Sequence, residues 1–180
     1  MASPSIVFGA YAPPVSTRGS AQPRARLQAQ LWTWLPVLAC ITVFAVESSS
    51  YLGSDHTSPP LRRIAEALCG GGVDAHWLLI HHLIRKTGHF LGYGVFSLFC
   101  FRGFWRALQG EASVSLRQLR AYGLAILATF LVAGVDEFHQ SFLLNRTGQF
   151  SDVLLDTAGG VALCLALFLA MQSARSSSPR

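Results

Sequence analysis

The chain has 180 residues, of which 51% are hydrophobic and only 13% charged, with a formal net charge of +5. A mean hydropathy of +0.39 agrees, and a soluble domain would carry about a quarter of charged residues. The basic residues stand at the ends of apolar blocks, so the surplus points to anionic lipid headgroups rather than to nucleic acid.

Residues 1–30 contain prolines, serines, Arg18, Arg24 and Arg26 without sustained periodicity, and read as a disordered cytoplasmic tail. The first long apolar stretch starts only at Leu31, too late for an obvious signal peptide, though it can serve as an uncleaved anchor. Four apolar segments follow, at 31–46, 90–105, 119–135 and 153–171. Each approaches the roughly 20 residues that cross a bilayer. Ala121 to Ala133 and Thr157 to Ala170 are apolar on every side, which a soluble core helix is not. The expected fold is all-α: an integral membrane bundle of four transmembrane helices, covering 31–172, with a short disordered tail at 173–180.

The connection at 48–86 carries its own signals. Ser58-Pro59-Pro60 precedes Leu61, Ile64, Ala65 and Leu68, an amphipathic helix that Gly70-Gly71-Gly72 should stop. Asp74 is then placed to cap a second short helix, from Ala75 through Leu83. Both are expected to lie on the membrane surface or over the mouth of the bundle.

Four spans put both termini on one side. Nine of the fourteen basic residues flank that side: Arg18, Arg24, Arg26, Arg102, Arg106, Arg117, Arg120, Arg175 and Arg180. Arg62, Arg63, Arg85, Lys86 and Arg146 flank the other. The asymmetry favours cytoplasmic termini in a bacterial inner membrane. It also brings four polar helix ends to the outer side: Glu47 with Ser48, Lys86 with His89, the run Asp136-Glu137-Phe138-His139-Gln140, and Arg146 through Asp152 to Asp156.

Helical spacing sorts these groups into faces. His82, Lys86, His89 and Tyr93 form one stripe. Asp136, His139 and Gln140 form another, with Glu137 pointing elsewhere. Asp152 and Asp156 share a face, and Asp152 sits at a helix N-terminus, where the dipole favours an anion. Ionisable groups at membrane depth are costly and commonly functional. A second acid such as Asp156 needs a cationic partner or a proton, which His139 or Arg146 could supply.

The motifs Lys86-Thr87-Gly88-His89-Phe90-Leu91-Gly92-Tyr93, Asp136-Glu137-Phe138-His139-Gln140 and Arg146-Thr147-Gly148-Gln149-Phe150-Ser151-Asp152 resemble the VanZ-like family, and Asp156-Thr157-Ala158-Gly159 continues the match. The resemblance covers about 31–171. It implies a small multi-pass bacterial membrane protein; the family's namesake is associated with low-level resistance to the glycopeptide teicoplanin. The family's polar pattern falls on Lys86, His89, Asp136, Glu137, Gln140, Arg146 and Asp152. At Asp156 relatives often carry Asn.

Three chemistries fit these residues. In a hydrolase or transferase acting on a lipid-linked envelope substrate, His139 or His89 would be general acid and base, oriented by Asp136 or Glu137. Lys86 and Arg146 would hold an anionic headgroup, with Tyr93, Gln140, Asp152 and Asp156 lining the site. No Ser or Cys stands in a nucleophile motif, so water would be the attacking group. A metal could use His89, His139, Asp136 and Asp152, but no metal-binding spacing is present, and neither metal nor cofactor is expected. The third possibility is an interhelical ion-pair network that only fixes the bundle. Binding of an envelope component without turnover lies between these readings.

The remaining signals are structural. No Cys-x-x-Cys occurs, so Cys40, Cys69, Cys100 and Cys164 indicate neither zinc nor disulfides. Gly159, Gly160, Ala158 and Ala162 offer a small-residue face for close helix contact. Trp32, Trp34, Trp77 and Trp105 fit interfacial anchoring.

Overall fold

The computed structural model describes residues 21–49, 53–70, 73–143 and 148–176, and these are all-helical apart from short connections. The helices are α1 (Ala21–Glu47), α2 (Ser54–Cys69), α3 (Trp77–Ala107), α4 (Val114–Gln140) and α5 (Phe150–Ser176). A single 3₁₀ turn, Asp74–His76, leads into α3. α1 begins at Ala21, ten residues before the first apolar segment.

Among the described residues three helices are long and apolar enough to cross a membrane: Arg26–Glu47, Val114–Gln140 and Phe150–Ala174, with mean hydropathies of 1.7, 1.5 and 2.2. Protein packing buries only 17%, 28% and 28% of their most apolar windows. The rest is bare aliphatic surface, including Leu38, Leu131 and Leu165, and hydrocarbon is the solvent that suits it. α3, the second expected span, does not reach that apolarity. Glycines, His89, Tyr93 and Arg102 dilute it. It can carry them because α1, α2, α4 and α5 all pack against it.

The core follows from small residues. Ala121, Ala125, Thr129 and Ala133 recur every four positions on α4 and are completely buried, letting α4 approach its neighbours closely. α5 approaches more closely still. At Gly159 an added Cβ would overlap the carbonyl of Phe90, and at Gly160 it would press on Thr129 and Ser97. α3 and α5 run parallel, so this contact sets the register of their polar ends. Phe44 of α1 completes the core by stacking on Tyr93, with ring centroids 4.2 Å apart.

The connection between α1 and α3 departs from the sequence reading in three respects. α2 starts at Ser54, and Pro59 and Pro60 lie inside it rather than ahead of it. Their fixed φ suits a helix, and only two backbone hydrogen bonds are forgone. Gly70 does end α2, at φ 74°, with its N–H returning to Glu66 O. Asp74 caps nothing: its carboxylate receives Arg62, which also reaches Glu66, and so ties α2 to the start of α3. No separate helix over 75–83 exists, because that segment is the first part of the 31-residue α3. Trp77 is buried under α2, and its indole N–H donates to Ser58 Oγ at 2.7 Å.

The opposite end of the bundle is basic. Arg102 and Arg106 donate to the carbonyl and hydroxyl of Thr33, at 3.3 and 3.0 Å. Arg117 donates to the carbonyl of Trp105, near the end of α3, and lies 3.9 Å from the centroid of that ring.

Candidate functional site

The polar ends of α1, α3, α4 and α5 do meet, and most of their polar side chains are paired across helices. Along α3, Lys86, His89 and Tyr93 step round one face by three and four residues. Lys86 Nζ pairs with Asp152 Oδ1 at the start of α5. One turn deeper, His89 Nδ1 lies 3.5 Å from Asp156 Oδ2. A further turn in, the Tyr93 hydroxyl donates to Asp136 Oδ2 on α4 at 3.0 Å, and Gln140 Nε2 donates to the same oxygen at 3.3 Å. The Gly159–Phe90 contact creates this ladder, because it brings two parallel helices together with acids facing bases.

α4 distributes its polar run differently from the spacing argument. Asp136, Glu137 and Gln140 are buried, whereas His139 is exposed. Glu137 does not point away from the bundle: its Oε2 accepts the backbone N–H of Gln149 at 2.8 Å. α4 packs on α3 through Asp136 and on the segment leading into α5 through Glu137, so two adjacent positions are both interior. Gly148 fits against the carbonyl of Glu137, where a Cβ would overlap it. His139 turns toward α1 and meets Ser48 Oγ through Nδ1 at 3.2 Å.

Other expectations change in the same way. The partner of Asp156 is His89, not His139, and Arg146 lies outside the described residues. Asp156 is fully buried, and neither of its oxygens has a hydrogen bond among the described residues. His82 is exposed and leaves the α3 stripe, while its neighbour His81 is buried against Trp77 and Thr57. His89, His139, Asp136 and Asp152 go to four different partners. Among the described residues no three His, Cys, Asp or Glu side chains converge as a metal requires.

Beside the ladder lies an open cleft of about 220 Å³, bounded by α1, α2 and α3. Its walls are Glu47, Thr57, Leu61, Ile84, Arg85, Gly88 and His89. His89 therefore belongs to both features, with Nδ1 toward Asp156 and the residue lining the cleft. Glu47 and Asp136 both act electrostatically on it. Arg85 has no ion pair among the described residues. The sequence reading omitted Arg85, Gly88 and Thr57 from the site. Arg85, Gly88, His89 and Gly92 nevertheless follow helical spacing, and a cation beside two side-chain-free positions was the available signal.

An all-helical bundle with membrane-spanning helices and a polar cluster at one end defines a class of small multi-pass membrane protein. A family model described as VanZ/LLP1 matches residues 29–171, and the chain belongs to that family. Neither the curated proteins nor the solved structures compared with it give a match.

Proposed function

We propose that this chain is a four-span protein of a bacterial cytoplasmic membrane, with both termini cytoplasmic, whose outer polar end binds an anionic envelope component or lipid intermediate. The observation that carries the reading is the cleft walled by Arg85 and His89. Lys86 is neutralised by Asp152, and Tyr93, Asp136 and Gln140 satisfy one another, so these residues hold the helix ends in place. Arg85 then supplies the charge for a phosphate or carboxylate, and His89 a second donor. α3 acts as the fourth span, its polar face covered by its neighbours while Leu91 and Val95 stay exposed.

The test uses the full chain in phosphatidylcholine nanodiscs, titrated calorimetrically with glycerol 3-phosphate. Saturable binding that disappears in Arg85→Ala is expected. Absence of binding, or binding indifferent to Arg85, overturns the reading.

A second reading, a membrane hydrolase or transferase that activates water, is favoured by the His89–Asp156 contact. Asp156 would hold Nδ1 and stabilise the imidazolium while Nε2 takes a proton from water, as in other His–carboxylate arrangements. Release of inorganic phosphate from phosphatidic acid, abolished by His89→Gln, would support it; no release from the wild-type chain rejects it for that substrate. If alanine at Lys86, Asp136 and Arg85 merely reduced folded yield to the same degree, the cluster would be a structural network alone.

A further inference from the structure

A second concavity lies directly below the cleft. It is an open, almost wholly apolar groove of about 520 Å³ between α1 and α3, bordered by Pro36, Cys40, Val43, Phe44, Gly92 and Val95 among others. Two helical stripes form its walls, and both run on into the cleft. On α1 the stripe is Pro36, Cys40, Phe44 and then Glu47; on α3 it is Val95, Gly92 and then Gly88, His89 and Arg85. The floor stays open where the stripes join. Gly88 has nothing within 4 Å of a notional Cβ, and at Gly92 the nearest atom is the ring edge of Phe44, at 3.4 Å. Phe44 is held back by its stack on Tyr93.

The dimensions are informative. On α1 the groove runs from Pro36 to Phe44, about 12 Å at a rise of about 1.5 Å per residue. That is most of one leaflet of a hydrocarbon core about 30 Å thick. A polar cleft holding an arginine with no ion pair among the described residues thus opens onto an apolar channel that spans most of one leaflet.

We infer that the groove between α1 and α3 seats the hydrocarbon chain of a phosphate-bearing lipid whose headgroup lies in the Arg85/His89 cleft. The inference rests on the anion site proposed above and names its ligand class. Charge complementarity selects the lipid: Arg85 receives the phosphate and the two glycines leave room for the linkage. Continuity of the two stripes gives the chain its path. Ordinary annular lipid would show no dependence on headgroup charge.

Cys40 is a native reporter, since it borders the groove and is half-buried, whereas Cys100 and Cys164 are buried and Cys69 is exposed. The full chain in phosphatidylcholine nanodiscs is treated with N-phenylmaleimide, and mass spectrometry follows each cysteine separately. Replacing a tenth of the phosphatidylcholine by phosphatidic acid is expected to slow alkylation of Cys40 several-fold. The protection should vanish in Arg85→Ala, with unchanged rates at Cys100 and Cys164 certifying the fold. Equal rates with and without phosphatidic acid overturn the inference, as does protection that survives Arg85→Ala. Glycerol 3-phosphate binding without protection of Cys40 removes the groove and leaves the anion site standing; loss of both removes both.

Discussion

His89 Nδ1 stands 3.5 Å from Asp156 Oδ2, and that carboxylate, wholly enclosed by α3, α4 and α5, has no other cationic partner among the described residues. Lys86 and Asp152 pair one turn nearer the surface, with side chains 31% and 26% exposed. The two contacts repeat one geometry in different surroundings. Burial strengthens the electrostatics of the deeper pair and makes its disruption costly.

Truncating His89 strands a buried carboxylate. His89→Ala should lose about 3–5 kcal/mol, the cost of leaving one partner of a buried pair uncompensated. Lys86→Ala should lose at most about 1 kcal/mol, because both of its groups keep water. In an Asp156→Asn background the His89→Ala penalty should fall well below its wild-type value, since no charge remains to strand. Unfolding of the wild type, the three single variants and the double variant in one detergent checks this, the His89 and Asp156 proteins forming a double-mutant cycle. Equal penalties for His89 and Lys86, or additive effects of His89 and Asp156, would contradict the assignment.

Gly159 offers a steric counterpart. Its notional Cβ overlaps the Phe90 carbonyl, a backbone atom that cannot swing aside. Gly159→Ala should therefore cost about 1–3 kcal/mol through forced separation of α3 and α5. Gly134 has open space around it, so Gly134→Ala should be neutral or gain up to about 1 kcal/mol from helix propensity. Thermal midpoints measure both. Because the Gly159 contact sets the register of the ladder, Gly159→Ala should also weaken glycerol 3-phosphate binding, whereas Gly134→Ala should not.

These pairs show how far the residues alone could be read. Hydropathy located the apolar segments, and three- and four-residue spacing placed Lys86, His89 and Tyr93 on one stripe. Spacing assigns a face but not the helix that faces it, so Asp156 could be matched to His139 or Arg146 as readily as to His89. Glu137 was misplaced for a related reason: one-sided packing predicts one buried stripe, yet α4 meets both α3 and the Gln149 backbone. The cleft was illegible because it is made by α2 covering α3, a long-range contact that leaves no local pattern. Asp74 looked like a cap, and only the folded chain shows Arg62 beside it.

Glu47 faces the same cleft as Arg85, so its charge opposes any anion bound there. Removing that charge while keeping the shape should tighten binding. Glu47→Gln is expected to raise affinity for glycerol 3-phosphate by about threefold to tenfold, the size of one partly screened charge contact. Arg85→Ala should act in the opposite direction, and raising the salt concentration should shrink both effects. Calorimetric titration of the two variants reads the sign directly. A weaker Glu47→Gln complex would mean that the cleft recognises a cation.

The topology turns on α3, which lacks a stretch as apolar as those of α1, α4 and α5 yet is central to the packing. If α3 crosses the bilayer, native Cys69 on α2 and position 141 at the end of α4 lie on one side. Gly110, beside the cluster of Arg102, Arg106, Arg117 and Arg120, then lies on the other. Positive charge favours retention in the cytoplasm, which assigns Gly110 to the inside. A membrane-impermeant maleimide applied to intact spheroplasts should label Cys69 and Ser141→Cys, and should label Gly110→Cys only after permeabilisation. Cys69 and position 141 reacting from opposite sides would mean that α3 folds back without crossing. Inversion of all three would keep four spans but turn the Arg85 cleft, and any lipid it holds, toward the cytoplasmic leaflet.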